Sequence, residues 1–307
     1  MLSSTDLCIV IPTFNRKKQL SALLTQFKQQ RMADNIQYKI VVAVDGSTDG
    51  TIELLQSEFP DVHIVKGTGN WWFTRSINEG CKYAVDVLKT PLILMINDDV
   101  EIPDHYLQKM MDNYRDCGPN CVIGSSSYSF STPRVITFSG IRHKNPWTLK
   151  HYKYINSYVP KDPSELKGVA PSVTLPTRGL LIPAALLKEL GYMDEKHFPQ
   201  YASDHDLVYR AAEKGAKVYV TYDAYVFEHL DLTSSGNPRL TKSLGHFLKN
   251  IFFNKYSSNY FFKDIRMAWR YGMKLLFPFY FIRILMAIPY IYMKYKYVVN
   301  KKMQTVS

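Results

Sequence analysis

The sequence predicts an α/β protein with a mostly parallel, twisted sheet and helices on both of its faces. Three observations lead to this fold class. Short apolar runs recur along the first hundred residues, at lengths typical of buried strands. The segments between them have helical periodicity, as in Leu20, Leu23, Leu24 and Phe27. Strands that alternate with helices in this way form parallel sheets whose faces are covered by the helices.

The predicted strands of the first half are residues 7–12, 38–44, 62–65 and 91–96. Right-handed crossovers place the C-terminal ends of such strands on one edge of the sheet, where ligands bind in open α/β folds. Polar clusters follow three of the strands, at residues 13–15, 45–51 and 97–99. We therefore expect one functional edge that these clusters share.

After Pro103 the alternation gives way to a mixed region, and a second ordered block covers residues 173–222. In this block the sequence predicts a helix over residues 180–191, a helix over residues 204–214 and a strand over residues 218–222. Both helices end at a glycine, which adopts left-handed backbone conformations without steric cost. The chain is predicted to divide into a body (residues 1–240, with halves 1–103 and 104–240) and a tail (residues 241–307).

The positive charge of the chain is concentrated in its tail. Eleven Lys and Arg residues against the single acid Asp264 lie between residues 245 and 307, whereas the whole chain carries +11. The body is therefore nearly neutral, which disfavours nucleic-acid binding. No basic stretch followed by an apolar one opens the chain, and the four cysteines lack a disulfide or metal pattern. Both features predict a cytoplasmic protein.

Residues 275–293 are apolar and aromatic over almost the length that spans a bilayer. Arg283 in the middle of this stretch, and Pro278 and Pro289 as interruptions, disfavour a spanning helix. Basic and aromatic residues mixed through helices are typical of an element lying on an anionic membrane. The alternative is a surface for a partner protein or for a second copy of the chain.

Two adjacent carboxylates, Asp98 and Asp99, follow the fourth apolar run. Burying such a pair without a positive partner is costly. Mg²⁺ or Mn²⁺ suits one or two carboxylates together with diphosphate oxygens, and it neutralises charge on a departing nucleotide diphosphate. The alternative is a solvated turn ahead of Pro103.

The strand-end motifs Ile-Val-Ile-Pro-Thr-Phe-Asn-Arg (residues 9–16) and Val-Val-Ala-Val-Asp-Gly-Ser-Thr-Asp-Gly-Thr (residues 41–51), followed by Asn97-Asp98-Asp99, closely resemble glycosyltransferase family 2. Members of that family have the GT-A fold, and the resemblance covers residues 7 to 229. It implies a nucleotide-binding half over residues 1–103 and an acceptor half over residues 104–240.

The resemblance also implies roles for individual residues. Asp45 corresponds to the carboxylate that recognises the nucleotide base, Asp99 to the principal metal ligand, and Asp98 to a residue facing the sugar or ribose. The first strand end is expected to contribute to the donor site through a set of three residues, Pro12, Thr13 and Asn15. Val44 replaces the first acid of an Asp-Asp pair that is common in the family. The alternative for Asp45 is a turn residue that caps the helix near Thr51.

A glycine-rich segment over residues 67–80 opens a helix, whose N-terminus can bind phosphate. Its Asn-Trp-Trp sequence resembles the subset of family 2 that includes bacterial rhamnosyltransferases. Trp71 and Trp72 are candidates to wall the donor pocket, with core packing as the alternative. Arg75, where that subset often has a small residue, is a candidate for the diphosphate, and Asn78 is assigned to the donor site.

Residues 176–183, 191–195 and 198–207 resemble the acceptor half of the family, in which Asp204 corresponds to the catalytic base. Inverting transfer needs one base to take the proton of the attacking acceptor hydroxyl. The alternative is that Ser203 or Asp204 caps the following helix while Asp206 pairs with Arg210. Ser203 stands where the family commonly has Glu.

Two further positions complete the expected site. By the resemblance, His229 can complete the metal's coordination, and a neutral imidazole suits Mn²⁺ better than Mg²⁺; a structural histidine is the alternative. Arg178 and Gly179 are expected at the donor, Arg178 as a diphosphate contact and Gly179 to let the backbone approach closely. A tight strand turn is the alternative for this pair.

The sequence therefore predicts an inverting, metal-dependent glycosyltransferase that uses dTDP-rhamnose or a UDP-sugar. Its expected acceptor is a lipid-linked or cell-surface glycan, and its expected place is peripheral, on the inner face of the cell membrane. Two alternatives belong to other classes. One is a non-catalytic sugar-nucleotide or glycan-binding subunit that partners an active transferase, and the other is a nucleic-acid binder that uses the tail.

Overall fold

The structure is a computed structural model that describes residues 6–33, 36–229 and 243–304, with side chains up to residue 293. The first half contains strands β1 (Leu7–Thr13), β2 (Tyr38–Val44), β3 (His63–Lys66) and β4 (Leu92–Met95), and helices α1 (Lys17–Lys28), α2 (Thr51–Glu58) and α3 (Trp72–Lys82). The four strands are parallel and lie in the order β3-β2-β1-β4. Their C-terminal ends therefore meet at one edge, as predicted.

The second half continues the sheet with mixed strand directions. Its elements are β5 (Val100–Glu101), α4 (Tyr106–Cys117), β6 (Cys121–Ser129), β7 (Val135–Phe138), β8 (Ile141–Lys144), β9 (His151–Lys153), β10 (Val159–Pro160), β11 (Val169–Pro171), β12 (Leu180–Pro183), α5 (Ala184–Glu189), α6 (Ser203–Glu213) and β13 (Lys217–Glu228). Strand β12 lies antiparallel between β4 and β6, and β13 runs parallel to β6. The sheet thus joins the two halves through β12.

Strand β1 shows why the first apolar run is a buried strand. Its alternate side chains Leu7, Ile9 and Ile11 enter a core formed with α1, α2 and α4. Cys8 and Val10 point to the opposite face, into a core formed with α3, α5 and α6. Because successive residues of a strand face opposite sides, a strand covered on both sides must be apolar throughout.

The helix predicted over residues 180–191 is wrong in its first part. Leu180–Pro183 is strand β12, and only Ala184–Glu189 is helical. Leu180, Leu181 and Ile182 are fully buried between neighbouring strands. A short apolar run is compatible with a strand or with a buried helix. In this chain the run is a strand because it pairs with β4. The predicted helix at residues 204–214 and strand at 218–222 correspond to α6 and to part of β13.

The tail forms three helices, α7 (Leu244–Phe252), α8 (Phe261–Tyr271) and α9 (Phe277–Gln304). The predicted boundary at residues 240 and 241 lies outside the described residues. Pro289 lies inside α9 and does not interrupt it, contrary to the sequence-based expectation. Within the described residues, the segment Lys274–Met293 is long and apolar enough to cross a membrane, and 11% of its most apolar window is buried. The tail also packs against the body, where the Tyr280 hydroxyl donates to the Pro146 carbonyl.

Candidate active site

The loops after β1 and β2 are tied together at the functional edge. Asn15 donates its backbone N–H to the Ser47 hydroxyl at 3.0 Å, and its side-chain carbonyl accepts the Thr48 N–H at 2.8 Å. Asp49 accepts the Lys17 N–H at 2.9 Å and also bonds to the hydroxyl of Thr51 at the start of α2. Asp49 rather than Asp45 therefore serves the N-terminus of α2, which removes the capping alternative proposed for Asp45.

Asp45 is buried at the end of β2, where its carboxylate organises the glycine-rich loop. One oxygen accepts the Gly69 N–H at 2.7 Å, and the other accepts the N–H groups of Trp71 and Trp72 at 2.8 and 3.0 Å. A side chain at Gly67 would come within 2.6 Å of the same carboxylate, so only glycine fits there. Asp45 thus uses three of its roughly four acceptor positions to fix the start of α3.

Arg16 bridges the two carboxylates at the end of β4. Its guanidinium Nη1 lies 3.0 Å from Asp98 Oδ1 and 2.6 Å from Asp99 Oδ2. Asp98 is 5% exposed, so the positive partner that the sequence demanded for this pair is present within the chain. Arg16 belongs to the first strand-end motif, yet no role was predicted for it. The sequence feature that could have indicated its role is an arginine after β1, on the same sheet edge as the two acids after β4.

Unsatisfied oxygen atoms gather at the ends of β1 and β4. Among the described residues, Thr13 Oγ1, Asn97 Oδ1 and Asp98 Oδ2 are buried without a well-directed hydrogen bond. Burial, together with the charge of Asp99, raises the pKa of Asp98 to about 6. Arg16 and the nearby Thr13 hydroxyl act in the opposite direction and lower this pKa. Buried polar atoms normally have partners, so this edge is suited to receive a ligand.

The donor set fits a hard cation. The described parts of the chain hold no group of three or more His, Cys, Asp or Glu side chains around one point. A cation at Asp98 and Asp99 would take its other ligands from diphosphate and water oxygens, which is how Mg²⁺ usually binds. Arg16 supplies one positive charge to the two carboxylates.

His229 directly follows β13 and pairs with an acid other than Asp98 and Asp99. Its Nε2 is 2.8 Å from Glu101 Oε1, and its ring packs on Phe130. Strand β13 pairs antiparallel with β5, with Glu228 opposite Val100. The imidazole therefore contacts Glu101, and the role of His229 as a metal ligand stays a prediction.

Arg178 forms an ion pair with Glu228, which is 3% exposed and also accepts a 2.8 Å hydrogen bond from the Thr137 hydroxyl. Its guanidinium is therefore committed to a protein carboxylate that the sequence did not indicate. Gly179 has a φ of +89°, and a side chain there would meet the Ser125 and Tyr106 hydroxyls at 2.3 Å. Gly179 is required by this tight packing beside β12, which supports the strand-turn alternative.

The two tryptophans of the glycine-rich loop have different surroundings. Trp72 is 44% exposed and stacks on Tyr256 of the tail, with ring centroids 3.9 Å apart. It contacts the tail, and its place in the wall of the donor pocket stays a prediction. Trp71 lies under Arg75, whose guanidinium carbon is 5.5 Å from the ring centroid. Arg75 itself is exposed, as a diphosphate contact requires.

Asn78 does not face the candidate donor site. Its side chain is buried, and its amide donates to the Met193 carbonyl at 2.9 Å while accepting the Met193 N–H at 3.0 Å. Both ends of the amide therefore hold the 191–195 segment against α3. We correct the sequence-based assignment accordingly, because Asn78 has a positioning role.

Asp204 lies in the first turn of α6, half-buried, and accepts the neighbouring His205 N–H at 2.8 Å. The cap residue of α6 is Ala202, in a left-handed conformation, and no side chain caps this helix. Ser203 is buried and accepts a 2.9 Å hydrogen bond from the Thr74 hydroxyl of α3. The first turn of α3 thus connects the Asp45 loop to the residue next to Asp204.

Asp206 makes the predicted pair with Arg210, at 2.8 Å, and has further partners that the sequence did not indicate. Arg270 of α8 lies 2.6 Å from both Asp206 and Asp194, and the Tyr271 hydroxyl donates to Asp206 at 2.7 Å. Asp206 is fully buried. The tail is therefore anchored on the helix that carries Asp204.

Comparisons with known proteins agree with this geometry. The family model described as "Glycosyl transferase family 2" matches residues 8–164, just over half of the chain. The low-salt glycan biosynthesis hexosyltransferase Agl10 of Haloferax volcanii is 22% identical over 205 residues, 65% of this chain and 63% of Agl10. Glycosyltransferase AglJ of the same organism is 27% identical over 117 residues, 38% of this chain and 35% of AglJ. The chain thus spans less than two thirds of each of these curated relatives.

Solved structures share the fold. A crystal structure of TarS from S. aureus aligns with a TM-score of 0.54 and 17% identity. The alignment covers 88% of this chain and 45% of the TarS chain. TarS 1–349 in complex with UDP aligns with a TM-score of 0.52 and 14% identity, over 92% of this chain and 71% of that one. At these identities the likeness concerns the fold, and the predicted GT-A type α/β architecture is confirmed.

Proposed function

The chain belongs to glycosyl transferase family 2, and from this membership we propose that it is an inverting, metal-dependent glycosyltransferase. One observation carries the proposal. Asp98 and Asp99 lie at the edge where β1, β2 and β4 end, bridged by Arg16 and close to buried oxygens that lack a well-directed hydrogen bond. An edge of this kind is prepared to receive a cation and the diphosphate of a nucleotide sugar.

In the proposed site Asp99, with Asp98 beside it, holds Mg²⁺ or Mn²⁺, and His229 is a further candidate ligand. When bound, the cation supplies Lewis-acid stabilisation of the charge on the leaving diphosphate. With a cation at the carboxylates, the Arg16 guanidinium would be able to bind a phosphate oxygen instead. Arg75 is exposed next to Trp71 and serves the same diphosphate.

Asp45, with Thr13 and Asn15, is proposed to bind the base and ribose. Asp45 keeps about one acceptor position after its three backbone bonds, enough for a single N–H of a pyrimidine base. UDP and dTDP donors both offer that N–H group, and TarS 1–349 was crystallised with UDP. We therefore propose a UDP-sugar or dTDP-rhamnose as the donor.

Asp204 is proposed as the base that accepts the proton of the acceptor hydroxyl. It is half-buried and bonded to a single described N–H group, so acceptor capacity remains. Its position at the start of α6 is fixed by neighbours on both sides, through Ser203 to α3 and through Asp206 to the tail. A fixed carboxylate is what in-line attack on the anomeric carbon requires.

The proposed acceptor is a lipid-linked or cell-surface glycan at the cytoplasmic face of the membrane. Helix α9 exposes an apolar stripe formed by four residues, Phe279, Ile282, Met286 and Tyr290. Basic residues accompany this stripe in the tail, and such a combination favours binding to an anionic membrane. The name of Agl10 places that relative in glycan biosynthesis.

The test is a donor-hydrolysis assay, which needs no knowledge of the acceptor. The full chain is incubated with UDP-hexoses, UDP-N-acetylhexosamines and dTDP-rhamnose, and release of nucleotide diphosphate is measured with Mn²⁺, with Mg²⁺ and with EDTA. We expect slow hydrolysis of one donor that EDTA abolishes. Asp204→Asn should lower its rate by about 10²- to 10⁴-fold, because water loses its base.

The half-buried residue Asp112 of α4 provides the matched control, since Asp112→Asn removes the same charge away from the site. Its rate should equal that of the unchanged chain. Hydrolysis that persists in EDTA would refute the metal dependence. Full activity of Asp204→Asn would refute the role of Asp204 as the base. Binding of a donor without any turnover would instead support the non-catalytic subunit.

A further inference from the structure

A cavity of about 380 Å³ lies between the body and the tail. We call it the tail cavity. On the body side it is lined by the start of α6 and by the β8–β9 hairpin, and on the tail side by α8 and α9. Its volume lies within the range of about 300–1,000 Å³ that small-molecule sites occupy. None of the residues assigned to the donor site lines it.

The tail cavity adjoins the proposed base. Ala202 and His205, which stand on either side of Ser203 and Asp204, both line it. The cavity therefore lies within one turn of α6 from Asp204, which does not itself line it.

The polar wall of the cavity is basic. Lys144, Lys263 and Arg283 line it, together with the single carboxylate Asp264, which Lys263 binds at 2.5 Å. Neither Lys144 nor Arg283 forms an ion pair with a carboxylate in the described parts of the chain. Lys144 donates to the Tyr271 carbonyl at 2.6 Å, and burial lowers its pKa.

His151 also lines the cavity, and it is uncharged. Burial, together with the nearby His205, Lys144 and Lys153, lowers the pKa of His151 to about 4. Its Nε2 is paired with the Tyr209 hydroxyl at 2.7 Å, so the ring is held in place and uncharged at neutral pH. Burial is the largest cause of this shift, and the nearby Lys144 and Lys153 add to it.

The opposite wall is apolar and belongs to α9. Ile284, Ala287, Ile288 and Ile291 line the cavity from that helix. The other side of α9 carries the exposed apolar stripe proposed to meet the membrane. A hydrocarbon chain that leaves the cavity along α9 would therefore remain in apolar surroundings.

We propose that the tail cavity binds a lipid phosphate, with its phosphate against Lys144, Lys263 and Arg283 and its hydrocarbon chain against α9. This assignment rests on the proposed function, for which it names the acceptor class, a glycan carried on a lipid phosphate. An uncharged lipid would leave Lys144 and Arg283 without an anionic partner. A free phosphate would leave the apolar wall exposed to water.

The probe is decyl phosphate, titrated calorimetrically into the full chain below its micellar concentration, with decanol and inorganic phosphate as comparison ligands. We expect decyl phosphate to bind at least about tenfold more tightly than either, the factor that about 1.4 kcal/mol supplies. If decanol bound as tightly as decyl phosphate, the cations would not contribute to binding. If inorganic phosphate bound as tightly as decyl phosphate, the apolar wall of α9 would not contribute.

Two variants probe the two walls separately. Arg283→Gln removes a charge, and Ala287→Leu fills the apolar part without removing any polar group. Each should weaken decyl phosphate binding by about tenfold or more. The matched control is Lys249→Gln, an exposed tail cation outside the cavity, which should bind like the unchanged chain. Equal loss in Lys249→Gln would show general charge attraction, and no loss in the cavity variants would overturn the proposal.

Donor hydrolysis is measured on the same preparations, and it should be unchanged in all three variants because none touches the donor site. This readout also shows that the variants are folded. Hydrolysis without decyl phosphate binding would overturn the lipid phosphate site alone. Decyl phosphate binding without hydrolysis of any donor would leave this site standing and overturn the proposed enzyme.

Discussion

Two pairs of aspartates in this chain are each bridged by one arginine, and they differ in what remains unsatisfied. Arg16 joins Asp98 to Asp99 at the sheet edge, and Arg270 joins Asp194 to Asp206 between the body and the tail. The two bridges have similar distances, between 2.6 and 3.0 Å. Distance alone therefore does not distinguish a ligand site from a structural contact.

The surroundings of the bridges do distinguish them. Asp206 has Arg210 and the Tyr271 hydroxyl as further partners, and Asp194 accepts from His197. At the other bridge Asp98 Oδ2 and nearby oxygens have no well-directed partner. A fully satisfied buried network stabilises one arrangement, whereas unsatisfied buried oxygens leave room for a ligand. We conclude that the Arg270 bridge is structural and that the Arg16 bridge can be exchanged.

The largest effect on stability is expected for Arg270→Met. The change leaves Asp194 and the fully buried Asp206 with one cation fewer, although Arg210 remains on Asp206. The free energy of unfolding should fall by about 3 kcal/mol, measured by urea denaturation. Arg266→Met on the same helix is the matched control and should lose less than about 1 kcal/mol. Equal losses in the two variants would show that the bridge has no special role.

A smaller effect of a different kind is expected for Arg16→Met. Its unfolding free energy should fall by about 1–2 kcal/mol, because the carboxylate pair loses its cation. Mn²⁺ should restore this loss, since at about a hundred times its dissociation constant a ligand adds about 2.7 kcal/mol. The midpoint of thermal unfolding with and without Mn²⁺ measures the effect.

Arg270→Met serves as the comparison, because Mn²⁺ should raise its midpoint no more than that of the unchanged chain. The two arginine bridges would be equivalent, contrary to our conclusion, if Mn²⁺ acted alike on both variants. If Mn²⁺ did not raise the thermal midpoint of Arg16→Met, the proposal that the carboxylate pair binds a metal would be refuted.

The smallest effect is expected at the stack of Trp72 on Tyr256, which is another contact between the body and the tail. Trp72→Ala should cost about 0.5–1.5 kcal/mol, and a double-mutant cycle with Tyr256→Ala should assign most of that energy to the pair. The exposed Trp147 provides a control substitution. A large rise in donor KM for Trp72→Ala, without loss of stability, would support its predicted place in the donor pocket.

The sequence was a good guide wherever local pattern and structure coincide. Apolar runs followed by polar residues predicted β1, β2 and β4, their shared edge, and the placement of Asp45, Asp98 and Asp99 on it. Parallel neighbours force their C-terminal ends together, so the strand order alone brings these residues to one place. The i and i+4 spacing of Asp206 and Arg210 likewise predicted a real contact.

Partners distant in the chain were not predictable in this way. Asn78 with Met193, Arg178 with Glu228 and Trp72 with Tyr256 each join residues that no local pattern relates. Residues 180–183 are a strand because β4 and β6 flank them, which an apolar run cannot reveal. Whether a side chain is available to a ligand or is used in a structural contact depends on the residues that face it in the tertiary structure.

By itself, the sequence determined the α/β class, the family, the functional edge and the basic, aromatic character of the tail. These properties follow from periodicity, strand-end motifs and composition, which are local quantities. The tertiary structure decided which acids remain available, because hydrogen-bond saturation depends on contacts across the whole chain. It also decided that the tail docks through Arg270 beside Asp204 and encloses a basic, apolar cavity with the body.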